Sequence, residues 1–376
     1  MRLIKILIVP FVLAAAVFAQ VMPAQEKEST PAQRAPERTV SVPFSATDGH
    51  GNPLRDVSKD SVSVSENNQA LQTVQVQDAS DVPLDLGIVL LASKQKFEQE
   101  QAAAIDLAKR VMKPGRDKVF VITASGDKPW TTANIPWLTD PAAVAGLVRG
   151  LDKNTGLPDL FIFNIATNEV GVQRSTIQTY SMGTGFSAFD VIWAMMKNDP
   201  RPARRAVVIF RLPSAHSPGF GEKVTRASEE THNRVITVAQ SLGVTFFTIG
   251  LEDILPQSET TRANIQRDYM PTHEGNSVGT REYDAKLDRA KELQYTAGRQ
   301  NVERIADETG GRPLWSNRKN FSDAIEDIAS ELSARYIVSF VPADKSAASP
   351  VHPIKVQVAG AAHVSAPRAF IVQPQN

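Results

Sequence analysis

Between Thr39 and Asp78, Val40, Val42 and Phe44 alternate with polar neighbours, as do Val62 with Val64 and Val74 with Val76. Asp48-Gly49, Gly51-Asn52-Pro53 and Glu66-Asn67-Asn68 punctuate these runs. A period of two broken by turn residues predicts short antiparallel strands. From Leu84 the pattern changes. Leu86–Leu91 is apolar without interruption, as a strand buried on both faces requires. Phe97, Gln101, Ala104, Ile105, Ala108, Val111 and Met112 then recur on one helical face, stopped by Pro114-Gly115. Val119–Thr123 predicts a second buried strand. Asp140-Pro141 supplies an N-cap and first-turn proline for a helix through Leu151. Val191, Ile192 and Met195 mark another helix, with Trp193 on its apolar face, and Val207–Phe210 a third strand. Val235, Val238, Ala239 and Leu242 share a helical face ended by Gly243, and Val244–Ile249 is a fourth strand. Val302, Ile305 and Ala306 open a helix stopped at Gly310-Gly311. Phe321, Ile325, Ile328, Ala329 and Leu332 mark the last long one.

Strands alternating with helices predict a doubly wound, mostly parallel sheet covered on both faces. Two stretches break the rhythm, 156–183 and 253–300, and read as surface insertions. After the last helix the period returns to two: Tyr336–Phe340, then Ile354, Val356 and Val358, then Ala369–Val372. Neither terminal strand group can bury a core alone. Together they predict one small β-sandwich-like module beside the α/β domain.

Composition adds compartment and exclusions. The chain opens Met1-Arg2-Leu3-Ile4-Lys5, runs apolar from Ile6 to Ala19, and ends that run on Val17-Phe18-Ala19 before Gln20. Basic residues before a short apolar run with a small-residue site predict a signal peptide over 1–19. The run is shorter than the about 20 residues of a membrane span; an uncleaved anchor is the alternative. Cleavage removes two of 41 basic residues against 41 acidic, leaving a formal charge of −2. Residues 20–38 are rich in Pro, Gln and charge and read as a disordered spacer. The segments are thus 1–19, 20–38, an N-terminal β segment 39–80, an α/β domain 81–335 and a C-terminal β segment 336–376. A balanced charge argues against nucleic acid as partner. No Cys excludes disulfides, thiolate metal sites and a Cys nucleophile. Secretion or a periplasmic location is expected, with no membrane span after cleavage.

The order of elements resembles a von Willebrand factor type A (VWA) domain, and more narrowly the VWFA-related family of secreted acidobacterial proteins. The likeness covers about 39–376. It rests on Leu54–Val62 with Glu66–Gln69, Pro83–Ser93, Phe189-Asp190, Arg204–Phe210, Thr309-Gly310-Gly311, Leu332–Pro342 and His352–Val356. It implies a Rossmann-like fold with a binding edge at the carboxyl ends of the strands. In such domains that edge commonly carries a metal-ion-dependent adhesion site: Asp-x-Ser-x-Ser after the first strand, a Thr before the helix at Asp190, and an Asp after the strand that Arg204–Phe210 resembles. Magnesium takes oxygen ligands and needs carboxylates to offset its dehydration.

This chain departs from that pattern. Leu91 replaces the Asp, Ser93 remains, and Gln95 replaces the second Ser. Counting back from Asp190 puts Phe186 at the Thr position, although a slipped loop would present Thr184 or Ser187. Arg211-Leu212-Pro213 stands where the last Asp is expected, so Leu212 replaces it. Lys94 and Arg211 add positive charge. No bound metal or other cofactor is expected. The six histidines show no i,i+4 zinc pair. His50, His216, His273, His352 and His363 read as exposed loop or strand-end residues, with His216 close in sequence to the degenerate motif. Gly183–Ser187 lacks the Lys of a phosphate loop, and no G-x-S-x-G elbow occurs. Trp130 and Trp137 flank a loop, with packing favoured over recognition. No enzymatic site is legible. The expected function is a secreted, non-enzymatic module that binds a protein through Ser93, Lys94, Gln95, Ser187, Arg211 and His216. Two alternatives stand beside it: a structural cell-envelope component binding through its β-module, and an enzyme with an unrecognised site in the insertions.

Overall fold

A computed structural model of the chain describes residues 39–90, 97–123, 135–151, 188–199, 201–210, 222–251, 300, 303–316, 321–343 and 351–371. Residues 1–38, where a signal peptide and a spacer are expected, the stretch 156–183 and all of 253–300 except residue 300 lie outside them. In chain order the strands and helices are β1 (Val40–Thr47), β2 (Val62–Glu66), β3 (Gln69–Leu71), β4 (Thr73–Asp78), β5 (Leu84–Leu90), α1 (Phe97–Val111), β6 (Lys118–Thr123), α2 (Pro141–Arg149), α3 (Ala188–Lys197), β7 (Arg204–Phe210), α4 (Glu222–Leu242), β8 (Val244–Leu251), β9 (Pro313–Ser316), α5 (Ser322–Ser333), β10 (Tyr336–Phe340), β11 (Val351–Val358), β12 (His363–Ser365) and β13 (Ala369–Ile371). A helical stretch at 303–308 precedes β9.

The uninterrupted apolar runs form a five-stranded parallel sheet in the order β6-β5-β7-β8-β9. Both of its faces are covered, which is why its strands lack the polar alternation of a half-exposed sheet. Leu86, Ile88, Val121, Val208, Phe210 and Phe247 point into a core closed by α1, α2 and α5. Val89, Phe120, Ile122, Val207, Ile209 and Phe246 point the other way, against α3 and α4. Each fully buried side chain of this size contributes about 2 kcal/mol. The predicted caps hold: Asp140 Oδ1 accepts from Ala142 N–H at 2.9 Å with Pro141 at the first turn, and Gly243 ends α4 at φ 64°. Trp193 is core, as its helical position implies, and Trp137 packs edge-on against Phe120 at 5.0 Å.

The chain ends interleave into a sandwich. One antiparallel sheet runs β12-β1-β10-β4 and the other β13-β11-β2-β3. N-terminal β1 pairs with C-terminal β10 (Val42 opposite Val338), and β2 pairs with β11 (Val64 opposite Val356). Inward residues of both sheets make one core, including Phe44, Val64, Val338, Phe340, Val356 and Phe370. The β2–β3 hairpin turns on Asn67 and Asn68, both at positive φ, as a two-residue hairpin demands.

The sandwich corrects one expectation. His352 is not an exposed loop residue but is 2% exposed within β11. Its Nδ1 lies 2.6 Å from Glu66 Oε1, Glu66 Oε2 accepts from Ala343 N–H at 2.8 Å, and its ring stacks on Phe370 at 4.9 Å. Pro353 beside it suggested a loop, but it falls where β11 passes from pairing with β13 to pairing with β2, and its C=O accepts from Asn67 N–H at 3.3 Å. His363 and His50 are exposed. His216 and His273 lie outside the described residues.

A junction joins sandwich and parallel sheet, built from the Thr309-Gly310-Gly311 segment. Thr309 Oγ1 accepts from Phe246 N–H at 3.0 Å and donates to Ile305 O at 2.7 Å. Thr309 also bridges Pro367, between β12 and β13. A Cβ on Gly311 would stand 1.8 Å from Phe246 O, so no side chain fits there. Beyond it, Arg312 Nε donates to Glu331 Oε2 at 2.8 Å, and Glu331 Oε1 accepts from Ser45 Oγ of β1 at 2.9 Å. Arg335 Nη1 donates to Thr245 Oγ1 at 2.6 Å, and Nη2 to Gly310 O. Gly311→Ala should therefore lower the unfolding free energy by about 3 kcal/mol or more. Gly146→Ala, on α2 with open space around its Cβ, should raise it by about 0.5 kcal/mol. Urea denaturation of both variants checks the contrast.

Candidate functional site

In chain order the parallel sheet reads 2-1-3-4-5, and its winding reverses between β5 and β7. Open α/β sheets bind ligands at that reversal, beyond the carboxyl ends of the strands. Leu90 ends β5 as the register partner of both Thr123 and Phe210, so three strands finish side by side. Leu90 and Phe210 are fully buried. The chain continues from Leu90 into Leu91, Ser93, Lys94 and Gln95, and from Phe210 into Arg211, Leu212 and His216. Phe186 and Ser187 directly precede α3. All of these predicted site residues lie outside the described residues, as do Thr184 and Trp130. The fold thus brings together the points from which two of the segments depart. Among the described residues, no group of three or more His, Asp or Glu could hold a metal ion.

One feature of this edge escaped the sequence reading. Trp315, on β9, pairs in register with Gly250, and its ring occupies the space of a side chain there: a Cβ on Gly250 would come within 2.1 Å of it. Its Nε1 donates to Glu303 Oε1 at 2.9 Å. The half-buried indole is therefore fixed beside the carboxyl ends of β8 and β9. A four-residue strand starting at Pro carries too little periodicity to be recognised. The pairing of Trp315 with a glycine is visible only once β9 is placed.

The amino edge of the sheet is built differently. Asp85, which precedes the reversal point at the far end of β5, is fully buried and pairs with Arg201. Asp199 Oδ2 lies 2.7 Å from Lys118 Nζ and 3.3 Å from Arg201 Nε. Asp117 accepts from Leu84 N–H at 3.0 Å, Lys113 N–H at 2.7 Å and Arg116 Nε at 2.8 Å. Arg204 donates through Nε to Val82 O and through Nη1 to Leu332 O. Burial pushes the Asp85 carboxyl above its ordinary value, against the pull of Arg201. Burial would raise Asp117 and Asp199 too, but hydrogen bonds from Arg116 and Lys118, with backbone N–H donors, hold both below it. Burial brings the Arg204 guanidinium down to about 10, still charged at neutral pH. These groups pair with one another around the strand ends, although Asp85 Oδ2 has no hydrogen-bond partner among the described residues. Their role is to brace the scaffold.

The strand order, the two-faced core and the interleaved sandwich define a doubly wound, Rossmann-like α/β domain carrying a β-module. No protein-family model matches the chain, and no curated protein matches it in sequence. Solved structures that align with it include the human COPII-coat protein Sec24c, at 8% identity and a TM-score of 0.33 over 84% of this chain. Proximal thread matrix protein 1 of the mussel byssus, with a zinc-occupied MIDAS motif, aligns at 10% identity and 0.32 over 68%. The PilB minor pilin of Streptococcus sanguinis aligns at 10% and 0.34 over 69%. The chain spans 45%, 49% and 64% of the lengths of these proteins. At such scores the alignments support no inference about its activity.

The braced edge has a pH signature. Asp117 and Asp199 titrate below the ordinary 3.8. Their contribution to stability is present above that value and is lost as pH falls through their lowered values. Asp85 is raised and acts with the opposite sign, its share being lost as pH rises through its folded value. Denaturant midpoints measured from about pH 5 to about pH 3 should fall toward acid. Asp117→Asn should flatten that fall, and Asp85→Asn, which removes the opposing contribution, should steepen it.

Proposed function

We propose that the protein is a secreted, non-enzymatic VWA-like module that recognises a protein partner at the carboxyl edge of its parallel sheet without a bridging metal. The observation that carries this reading is the reversal of strand order between β5 and β7, with Leu90 and Phe210 ending as register partners. In sequence, the segments departing from those residues carry Ser93, Lys94, Gln95, Arg211 and His216, and Leu91 and Leu212 stand where the carboxylates of a metal site belong. Two missing carboxylates leave a hard cation without compensation for its lost water. Lys94 and Arg211 make the same edge suited to an acidic surface on the partner. Resemblance to the VWFA-related family of secreted acidobacterial proteins, and the basic-then-apolar start of the chain, support export to the cell envelope or beyond. Among the described residues no helix is long and apolar enough to cross a membrane.

The test is capture of envelope proteins on immobilised wild-type protein and on a Lys94→Ala, Gln95→Ala, Arg211→Ala variant, identified by mass spectrometry. The variant should lose the specific partner while keeping its melting temperature, and millimolar Mg²⁺ or Mn²⁺ should leave that temperature unchanged relative to EDTA. Undiminished capture by the variant would move the binding function to the β-module. A clear rise in melting temperature with the cation would overturn the metal-free reading.

A further inference from the structure

The outer strands of this protein are not equally protected. In the sandwich, β3, β12 and β13 are three residues long. In the parallel sheet β9 has four residues, and β6 is flanked where Val119 and Leu138 exchange two backbone hydrogen bonds at 2.8 Å. β4 differs: it runs six residues, Thr73–Asp78, at the end of its sheet. Outer strands are normally blunted by lysine, proline or shortness, because an open backbone ladder is a template for another strand. Thr73–Gln77 holds no charge and no proline.

The phase of the ladder shows which groups are open. Ala79 N–H donates to Arg335 O at 2.8 Å. Bonded and non-bonded pairs alternate along an antiparallel ladder, so Gln77 and Gln75 turn their main-chain groups toward β10. Those of Val76 and Asp78 face away, with no backbone partner among the described residues. At the register shift opposite Ser339 and Phe340, Val74 is left without a partner on β10. It is 42% exposed, the one exposed large hydrophobic residue among those described.

We propose that β4 is a self-association edge, pairing antiparallel with β4 of a second copy about a two-fold axis. The strand is its own complement. With Gln75 on the axis, Val74 of each copy stands opposite Val76 of the other, apolar against apolar. No like charges meet along Thr73–Gln77, and a formal net charge of zero for the full chain, or −2 without residues 1–19, gives the copies little long-range repulsion. A six-residue ladder buries less than the about 1,200 Å² of a stable interface, so the dimer is a concentration-dependent one. This inference is independent of the carboxyl-edge reading, because it uses the sandwich alone.

Sedimentation equilibrium of the purified protein tests it. The weight-average mass should climb from one chain toward two as concentration rises. Val74→Lys, which opposes a charge to the apolar pair, should weaken association at least about ten-fold, with an unchanged melting temperature because the site is exposed. Gln75→Cys supplies the sole thiol in a chain without cysteine, and an added thiol oxidant should convert it to a covalent dimer. A wild-type protein that stays monomeric at every concentration overturns the proposal. So does a Val74→Lys protein that dimerises as the wild type does, or a monomer whose β4 edge takes up a different extended peptide.

Discussion

The buried carboxylate of Glu331 is the constraint on which the arrangement of the molecule depends. It is 4% exposed, yet Ser45 of β1, Arg312 after the parallel sheet's crossover and Arg335 at the entrance to β10 all reach it. A charge taken out of water is costly unless its partners and hydrogen bonds are complete. Here completion requires the sandwich and the α/β domain at once, because no single unit supplies all the donors. Burial lowers the Arg335 guanidinium, and Glu331 opposes that shift. Gly310 and Gly311 let the chain pass close enough to Phe246 and Pro367 for this geometry to form.

The parallel sheet divides its labour between its ends. At the amino edge, carboxylates and guanidiniums pair around Leu84, Asp85 and Arg204 and hold the strand ends in place. At the carboxyl edge, β5 and β7 end side by side on the buried apolar residues Leu90 and Phe210. Charge that offsets charge in the scaffold leaves the other edge free to differ. In sequence, the segments that follow carry Leu91 and Lys94 after β5, and Arg211 and Leu212 after β7.

Much of the fold was legible because periodicity reports burial. Leu86–Leu90 and Val207–Phe210 are apolar throughout because helices cover both faces of their sheet. Val40, Val42 and Phe44 alternate because one face of β1 looks to the core. Asp140-Pro141 and Gly243 marked helix ends through local backbone chemistry. What stayed hidden depends on distant partners. Nothing near β9 in sequence announces that Trp315 will lie over Gly250. His352 read as exposed because its neighbours are loop-formers, whereas its burial is set by Glu66, 286 residues away, and by Phe370. Of the candidate site, only the departure points could be placed.

By itself, the sequence determined the class of fold and the positions of most strands and helices. Those properties follow from side-chain period and residue identity, which are local. The tertiary structure decided how the two chain ends interleave, which polar groups are buried together and which edge strand is left open. These follow from long-range pairing, where a residue's environment is supplied by segments hundreds of positions away.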